Sequence, residues 1–328
     1  MKVLFIGGTG IISTNVSRLA LQQGIELTLL NRGQQNVDLP GARWLQGDFH
    51  DLSAMQELLA NESFDVVVDW IAFTPANIQH DLDLFRDRVG QFVFISSASA
   101  YQKPPTDILI RESTPLHNPF WQYSRDKIAC EELLMQNYRD VGFPVTIVRP
   151  SHTYDRLLPI PVGATRNSTM LARMRRGLPV IVPGDGTSLW ALTHSRDFAI
   201  GFLGLLGHPR ALGQAFHITS DELLTWNHIY EAIASALGVQ ANLVHISSDR
   251  LIELDPDLLG PLRGDKSWSV IFDNSKIKSY VPQFKAIIPF HQGIKETVAQ
   301  FDLIPELHQV NQQDDEYIER LLRGYKNS

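Results

Sequence analysis

The sequence predicts an α/β protein built on a doubly wound parallel sheet, with a smaller C-terminal lobe. Three observations support this fold class. Short, continuous apolar segments recur through the first 150 residues, which is typical of strands buried on both faces of a parallel sheet. Amphipathic helical patterns alternate with these segments. A glycine-rich turn joins the first strand to the first helix, as expected at a ligand-binding edge of such a sheet.

Length and composition set the first limits on function. The chain has 328 residues, of which 44% are hydrophobic and 20% charged, so it can form one large α/β domain or two smaller ones. Its net charge of −7 disfavours nucleic acid as the main partner. The single cysteine, Cys130, cannot form an internal disulfide, and its simplest interpretation is a small buried apolar residue.

The apolar segments also bear on localisation. None approaches the roughly 20 residues that a membrane-spanning helix needs. Met1 and Lys2 are followed by only a few apolar residues before a glycine cluster, which does not match a signal peptide. We therefore expect a cytoplasmic protein that does not span a membrane.

The first strand, Val3 to Ile6, ends in a glycine-rich turn that leads into a helical pattern reaching Gly24. Strand, turn and helix in this order bring backbone N–H groups and a helix N-terminus together, which favours a pyrophosphate. Gly7 and Gly10 permit the tight turn and the close approach of a ligand, and Ser13 lets the helix lie near the sheet. A plain strand-to-helix turn is the alternative. The residues expected to bind a dinucleotide here are Gly7, Thr9, Gly10, Ile11 and Ile12.

The next two strands indicate which dinucleotide is bound. The second strand, 26–30, ends at Asn31 and Arg32, with no acidic residue to hold the ribose hydroxyls of NAD. An arginine can pair with the additional phosphate of NADP, so NADP is favoured, with NAD as the alternative. After the third strand, Asp48 could accept a hydrogen bond from the adenine amino group, and Phe49 could flank the ring. Asp51 is expected to cap the helix that follows.

A serine-rich segment and a tyrosine–lysine pair form the candidate catalytic set. The fourth strand, 65–71, and the helix 77–88 lead to a fifth strand, 91–95, which ends in Ser96-Ser97-Ala98-Ser99-Ala100-Tyr101. Tyr123 and Lys127 lie four residues apart in a helical pattern, so both side chains lie on one face. A tyrosine has a pKa of about 10 and is a poor base at neutral pH, but a nearby cation favours the phenolate. Taken alone, the pair could be an accidental surface contact.

These motifs, in this order, resemble those of the extended short-chain dehydrogenase/reductase family, the NAD(P)-dependent epimerases, dehydratases and reductases with a Rossmann-type sheet. The match covers roughly residues 1–155. The resemblance implies that Ser97 hydrogen-bonds the substrate oxygen, that Tyr123 transfers the hydroxyl proton, and that Lys127 binds the nicotinamide ribose and keeps the phenol acidic. Ser96 and Ser99 are rivals for the serine role. By the same resemblance, Tyr123 and Lys127 also contact the cofactor.

The second half departs from the family pattern. The resemblance divides the chain into a dinucleotide-binding domain, 1–150, and a mainly substrate-binding lobe, 151–328, from which elements can return to the sheet. His152 replaces a family asparagine and could be a second acid/base group or a packed loop histidine. Trp190 replaces a phosphate-gripping arginine, which puts a nucleotide-diphosphate sugar in doubt. Other candidate phosphate contacts are Arg263 and three arginines near Trp190 in sequence, Arg173, Arg175 and Arg176. The alternative for these three is that they are surface residues of a helix.

Two functions therefore remain open. The first is an NAD(P)-dependent epimerase/dehydratase or reductase that acts on a sugar or sugar-like alcohol, with Tyr123 as the acid/base. The second is a binding protein on the same fold, because some relatives with a segment like Asp273-Asn274-Ser275-Lys276 are RNA-associated. The complete Ser-Tyr-Lys set favours the enzyme. The sequence contains no metal-ligand cluster, and a homodimer is expected by resemblance alone.

Overall fold

The computed structural model describes residues 1–33, 37–305 and 308–327. Its strands, in chain order, are β1 Lys2–Ile6, β2 Glu26–Asn31, β3 Arg43–Gln46, β4 Val66–Asp69, β5 Gln91–Ile95, β6 Leu109–Ile110, β7 Val145–Pro150, β8 His152–Tyr154, β9 Val180–Pro183, β10 Leu189–Trp190, β11 Leu192–His194, β12 Gln214–Ile218, β13 Leu224–Thr225, β14 Leu243–Ile246 and β15 Ile271–Phe272. Its helices are α1 Ser13–Gln22, α2 Leu52–Leu58, α3 Pro75–Phe85, α4 Gln122–Val141, α5 Thr169–Arg175, α6 Ser195–Leu203, α7 Trp226–Ala236, α8 Ser248–Leu254, α9 Leu259–Pro261, α10 Ser275–Tyr280, α11 Phe290–Leu303 and α12 Gln312–Lys326.

The central sheet is parallel throughout and runs in the order β12-β7-β5-β4-β1-β2-β3. The chain moves outward from β1 to β3 on one side and then crosses back to β4 on the other. The carboxyl ends of β1 and β4 therefore frame the crevice in which open α/β sheets bind ligands. This arrangement confirms the predicted doubly wound, Rossmann-type fold.

The strands are apolar because both faces of the sheet are covered by helices. Alternate residues of β1 and β4 project to opposite faces. One face packs against α1, α6 and α10, with Val16, Phe198 and Ile277 in its core. The other face packs against α2, α3 and α4, and Met55, Leu82 and Cys130 lie in that core. Cys130 is fully buried, as its simplest interpretation predicted.

Local hydrogen bonds fix two helix starts. The Asp51 carboxylate accepts the N–H of Ala54 at 3.0 Å, so Asp51 caps α2 as expected. Helix α3 begins two residues earlier than predicted, at Pro75. The N–H of Thr74 donates to the side-chain oxygen of Asn77 at 3.1 Å, and a proline in the first turn is already held near helical φ. The helix ends at Phe85 rather than near 88, and Asp87 just beyond it has a φ of 58°.

The part of the chain after residue 150 contributes to two structures. Strand β12 pairs with β7 and forms the seventh strand of the central sheet. The remaining segments build a smaller lobe around its own core, which includes Trp190, Trp226 and Tyr230. Helix α12 belongs to this core through Ile318 and two leucines.

No helix in the described ranges combines the length and the apolar character that crossing a bilayer requires. The described ranges also hold no group of three or more His, Cys, Asp or Glu side chains that could bind a metal ion.

Candidate active site

The turn after β1 has the geometry of a dinucleotide site. Gly7 and Gly8 have φ angles of 93° and 92°, a region that only glycine adopts readily. A Cβ added at Gly7 would lie 3.1 Å from Ile71 Cγ2, and one at Gly8 would lie 2.7 Å from Leu29 Cδ2. The turn is thus pressed between the ends of β2 and β4, and side chains larger than hydrogen would displace it.

A cleft of about 330 Å³ opens beside this turn. It contains most of the positions that the sequence assigned to cofactor binding. Gly10, Ile11 and Ile12 complete the turn before α1 but do not line the cleft. The predicted positions that do line it are Gly7, Thr9, Asn31, Arg32, Asp48 and Phe49.

The polar groups of the cleft fit a dinucleotide. The side-chain nitrogen of Asn31 is buried and lacks a hydrogen-bond partner among the described residues. Arg32 is exposed, and no described carboxylate forms an ion pair with it. Asp48 is exposed beside them, with one carboxylate oxygen accepting the N–H of His50 at 3.1 Å. A free amide donor, a free guanidinium and a carboxylate acceptor match a ribose, a phosphate and an adenine amino group.

A second pocket, of about 230 Å³, contains two members of the predicted catalytic set, and the Tyr123 ring in its wall lies 6.2 Å from the Phe73 ring in the wall of the first. Ser97 and Tyr123 both line it, together with Ser99, His152 and Trp190. Ser97 follows β5 and Tyr123 lies in the first turn of α4, so sheet edge and helix bring them together. The convergence depends on elements that are separate in the sequence.

The serine hydroxyls after β5 take different directions. Ser97 Oγ lies 2.9 Å from Ser99 Oγ, and Ser124 Oγ donates to Ser99 Oγ at 2.8 Å. Ser96 points away from the pocket and donates to Glu131 Oε1 at 2.5 Å. Of the three candidate serines, Ser97 and Ser99 therefore both line the pocket and contact each other, whereas Ser96 belongs to a different network.

Lys127 lies below the pocket, with its ammonium held by the backbone. Its Nζ donates to the carbonyl oxygens of Ala72 at 2.6 Å and Ile95 at 2.8 Å. The ring of Phe73 lies over it, with the centroid at 4.6 Å. Burial lowers the pKa of Lys127 to about 8, and the negative charges around it, including Asp69, oppose that change.

The pKa of Tyr123 differs from the expectation. Burial raises the pKa of this phenol above its ordinary value, and the nearby Ser97 hydroxyl opposes the change. The Lys127 ammonium lies 5.9 Å from the phenol ring centroid and is directed at backbone carbonyls. In these contacts burial outweighs any effect of Lys127 on the pKa of the phenol, because the ammonium is engaged by backbone carbonyls.

His152 and Trp190 both belong to the wall of the second pocket. The Nδ1 atom of His152 and the Nε1 atom of Trp190 are buried and lack partners among the described residues. Burial, with a further effect of Lys266, lowers the pKa of His152 to about 3, so its ring is neutral near pH 7. Trp190 also stacks on Trp226 at 5.3 Å between centroids. It is thus both a core residue and a potential donor to a ligand.

The arginines predicted to grip a phosphate do not line either pocket. Arg263 pairs with Asp249 on the surface of the lobe. Arg173 is 1% exposed and bridges to Asp315 and Glu319, so it holds α12 against α5. Arg175 pairs with Asp302 at 2.6 Å, and Arg176 is exposed. The surface-arginine alternative fits Arg175, Arg176 and Arg263, whereas Arg173 is a core ion-pair residue.

The sequence also missed residues that shape the site. Lys103 lines the second pocket, and Phe73 lines the first. Glu131 and Arg149 form a buried ion pair at 2.5 Å that also holds Ser96. Glu131 lies on α4 and Arg149 lies near the end of β7, and no periodic pattern in the sequence indicates that these two residues form a pair. Lys103 likewise lies in an irregular loop, where no pattern indicates an inward orientation.

Comparison with known proteins decides the family. The model of the NAD dependent epimerase/dehydratase family matches residues 3–219, which include the glycine turn and both pockets' main walls. The chain belongs to this family. The resemblance drawn from the sequence motifs is thereby confirmed.

Curated members and relatives of this family cover different activities. The chain is 26% identical over 288 residues to a 2'-dehydrokanamycin reductase of Streptomyces kanamyceticus, covering 87% of this chain and 80% of that protein. It is 29% identical over 259 residues to a chloroplast stem-loop binding protein of Arabidopsis thaliana, covering 74% of this chain but 65% of that protein. A UDP-glucose 4-epimerase of Lactobacillus helveticus is 26% identical over 168 residues, which cover 45% of this chain and 51% of that protein.

Solved structures of family enzymes share the fold. A UDP-glucose 4-epimerase from Bifidobacterium longum, in complex with NAD+ and UDP, superposes with a TM-score of 0.73 at 18% identity, covering 93% of this chain and 99% of that one. A dTDP-glucose 4,6-dehydratase from Bacillus anthracis, in complex with NAD, gives a TM-score of 0.74 at 19% identity, covering 94% and 98%.

Proposed function

We propose that this family member is an NADP-dependent oxidoreductase or epimerase that acts on a small, sugar-like alcohol, with Tyr123 as the acid/base. One observation carries the proposal. Ser97 and Tyr123 converge on a pocket that lies beside the glycine-turn cleft, with Lys127 buried between strand ends and helix. A protein that only binds a ligand has no need of a phenol and a hydroxyl aimed at one small volume.

The proposed roles follow from the positions of the side chains. Ser97 Oγ hydrogen-bonds the substrate oxygen and, in contact with Ser99, fixes that oxygen near Tyr123. The Tyr123 oxygen takes the hydroxyl proton when the alcohol is oxidised and returns it when a carbonyl is reduced. The nicotinamide supplies hydride chemistry when it is bound. Lys127, with two N–H groups on backbone carbonyls, is positioned to donate the third to the ribose of that nucleotide.

The cofactor preference rests on Arg32. Its guanidinium lines the cleft and is free of ion pairs within the described ranges, so it can pair with a phosphate on the adenosine ribose. The residue that would favour NAD instead, a carboxylate at the end of β2, is replaced here by Asn31. NADP is therefore the proposed cofactor.

The substrate pocket supports a small ligand. Its volume of about 230 Å³ is below the range of roughly 300 to 1,000 Å³ that is common for ligand sites. Trp190 fills the position at which the family pattern has a phosphate-binding arginine. Both features favour a single sugar-like ring over a nucleotide-diphosphate sugar.

The test is cofactor binding followed by turnover. Calorimetry with NADPH and NADH should give binding, tighter for NADPH. Tyr123→Phe should leave NADPH affinity within about twofold and lower turnover of any alcohol or carbonyl substrate by 10²- to 10⁴-fold, the usual contribution of acid/base catalysis. Tyr138→Phe, on the same helix α4 but outside both pockets, is the matched control and should leave turnover unchanged. Failure to bind either nucleotide would contradict the proposal.

RNA association is a second candidate, favoured by the similarity to the Arabidopsis stem-loop binding protein. The net charge of −7 opposes it, because RNA binding relies on neutralising phosphates. Electrophoretic mobility shifts with a stem-loop RNA at two salt concentrations separate the two functions. Salt-sensitive RNA binding without nicotinamide binding would favour the second.

A further inference from the structure

Lys103 is a charged side chain of the proposed substrate pocket that no role above explains. It lies in the loop after β5 and lines the pocket together with Ser97 and Tyr123. The residue is 2% exposed, so the pocket is the only solvent space that its ammonium can face within the described structure. Buried lysines are uncommon unless they are paired.

The ammonium of Lys103 has no pairing partner. Within the described ranges its Nζ forms no hydrogen bond and no ion pair, and the charge of Asp265 acts on it only from beyond ion-pair distance. Burial lowers the pKa of Lys103, and the charge of Asp265 opposes that effect. A cation that is removed from water without a partner costs free energy. A ligand anion would remove that cost.

The remaining charges of the pocket do not supply the missing partner. Asp265 is the one carboxylate among the described lining residues, and it accepts from Lys266 Nζ at 3.0 Å. His152 is neutral at pH 7, as its lowered pKa requires. The charges of Asp265 and Lys266 cancel, so the pocket has a net positive charge from Lys103.

The uncharged groups of the pocket also favour an anion. The Nε1–H of Trp190 is a donor with no acceptor in the described structure, and an indole nitrogen cannot accept a hydrogen bond. A ligand group with several acceptor oxygens offers acceptors for donors of both kinds, an indole N–H and an ammonium. A carboxylate or a phosphate monoester is such a group.

We infer that the substrate carries an anionic group, a carboxylate or a phosphate ester, that Lys103 binds in this pocket. The inference rests on the proposed function and names its substrate class as an acidic sugar or a sugar phosphate. A cationic amino sugar is disfavoured, because the pocket offers two lysines and no unpaired carboxylate. Lys103 is thus a specificity residue in the same pocket as the proposed proton-transfer group.

The experiment compares matched probes on one skeleton at a time. The full-length chain is titrated, with and without NADPH, with glucose, galactose and mannose and with the 6-uronate and the 6-phosphate of each. At least one acidic probe should bind about tenfold or more tightly than its neutral parent, since a hydrogen bond to a charged group is worth that much. The better of uronate and phosphate identifies the anion.

Two variants test the residue. Lys103→Met, which keeps the length of the side chain without its charge, should reduce the acid preference to within about threefold while NADPH affinity is unchanged. Lys285→Met, an exposed lysine outside the pocket, should retain the preference.

Equal binding of neutral and acidic probes on all three skeletons would overturn the inference, and so would an acid preference that survives in Lys103→Met. The first result needs only the wild-type protein, so it does not depend on how the variant folds. Failure of NADPH binding is a separate measurement that contradicts the proposed function instead.

Discussion

The ammonium of Lys127 lies 2.6 Å from the carbonyl oxygen of Ala72, which joins helix α4 to the loop that follows strand β4. That loop also carries Phe73, whose ring covers the ammonium and lines the cofactor cleft. The carbonyls of Ala72 and Ile95 use two of the three N–H donors of this ammonium, so under the proposed function the third would be the donor to a nucleotide ribose. One side chain thus links helix α4, the end of β5 and the loop after β4.

Lys127→Met should change the pH dependence of stability. The pKa of Lys127 is about 8 in the folded protein, below its ordinary value of 10.5. Between these values the unfolded chain binds the proton and the folded chain does not, so the free energy of unfolding rises with pH. Relative to the variant, the wild-type protein should gain up to about 1.4 kcal/mol per pH unit from pH 8 upward. Urea unfolding of both proteins at pH 7.5 and 9.5 measures the difference. The same change in the free energy of unfolding between the two pH values in both proteins would contradict the prediction.

Arg32→Glu should reverse the cofactor preference. The substitution removes the cation available to the ribose phosphate of NADP and adds a carboxylate that can accept from the ribose hydroxyls of NAD. We expect the ratio of NADPH to NADH affinity to fall by about 10- to 100-fold. Lys285→Glu makes the same change in charge outside the clefts and should alter both affinities equally. An unchanged ratio in Arg32→Glu would exclude this arginine from cofactor selection.

His152→Gln should leave the shape of the pH–rate profile unchanged between pH 5 and 8. The pKa of His152 is about 3 because its ring is buried beside Lys266, so the imidazole stays neutral across this range and cannot supply a titrating limb. Activity can fall if the ring orients the substrate. The measurement is kcat/KM against pH for both proteins. A limb near pH 6.5 that disappears in the variant would show that His152 titrates after all.

Glu131→Gln should destabilise the fold. Glu131 accepts from Arg149 through both carboxylate oxygens and from Ser96, and both ionic side chains are nearly inaccessible to solvent. Loss of the carboxylate charge leaves the Arg149 guanidinium buried without a counter-charge, at a cost of about 3–5 kcal/mol. Glu132→Gln, at the exposed neighbouring position, should cost less than about 0.5 kcal/mol. Equal midpoints in guanidinium unfolding would contradict the prediction.

The parts of the fold that were predicted correctly are those with a local cause. Strand β1 is apolar at each position from Val3 to Ile6 because both faces of the sheet are covered. A continuous apolar run of this kind can be recognised in the sequence. The glycine turn and the four-residue spacing of Tyr123 and Lys127 are also local, so the turn and the helix could be predicted from the sequence.

Other features depend on contacts between distant segments. The raised pKa of Tyr123 is caused by burial, which the spacing to Lys127 does not report. Arg173 carries the same charge as Arg175 and lies two residues away, yet it is buried against α12 because helical geometry turns it inward. Lys103 lines the pocket from an irregular segment between β5 and β6. These orientations follow from tertiary packing and leave no pattern in composition or periodicity.

The pairing of β12 with β7 has a consequence for any attempt to divide the protein. A fragment that stops near residue 150 would retain the glycine turn and the tyrosine–lysine helix but lose the outer neighbour of β7. All six residues of β7 are buried in the intact chain, so the fragment would present a long apolar edge with unpaired backbone groups. Such an edge recruits strands from other molecules. The nucleotide-binding half depends on the later segment to remain monodisperse.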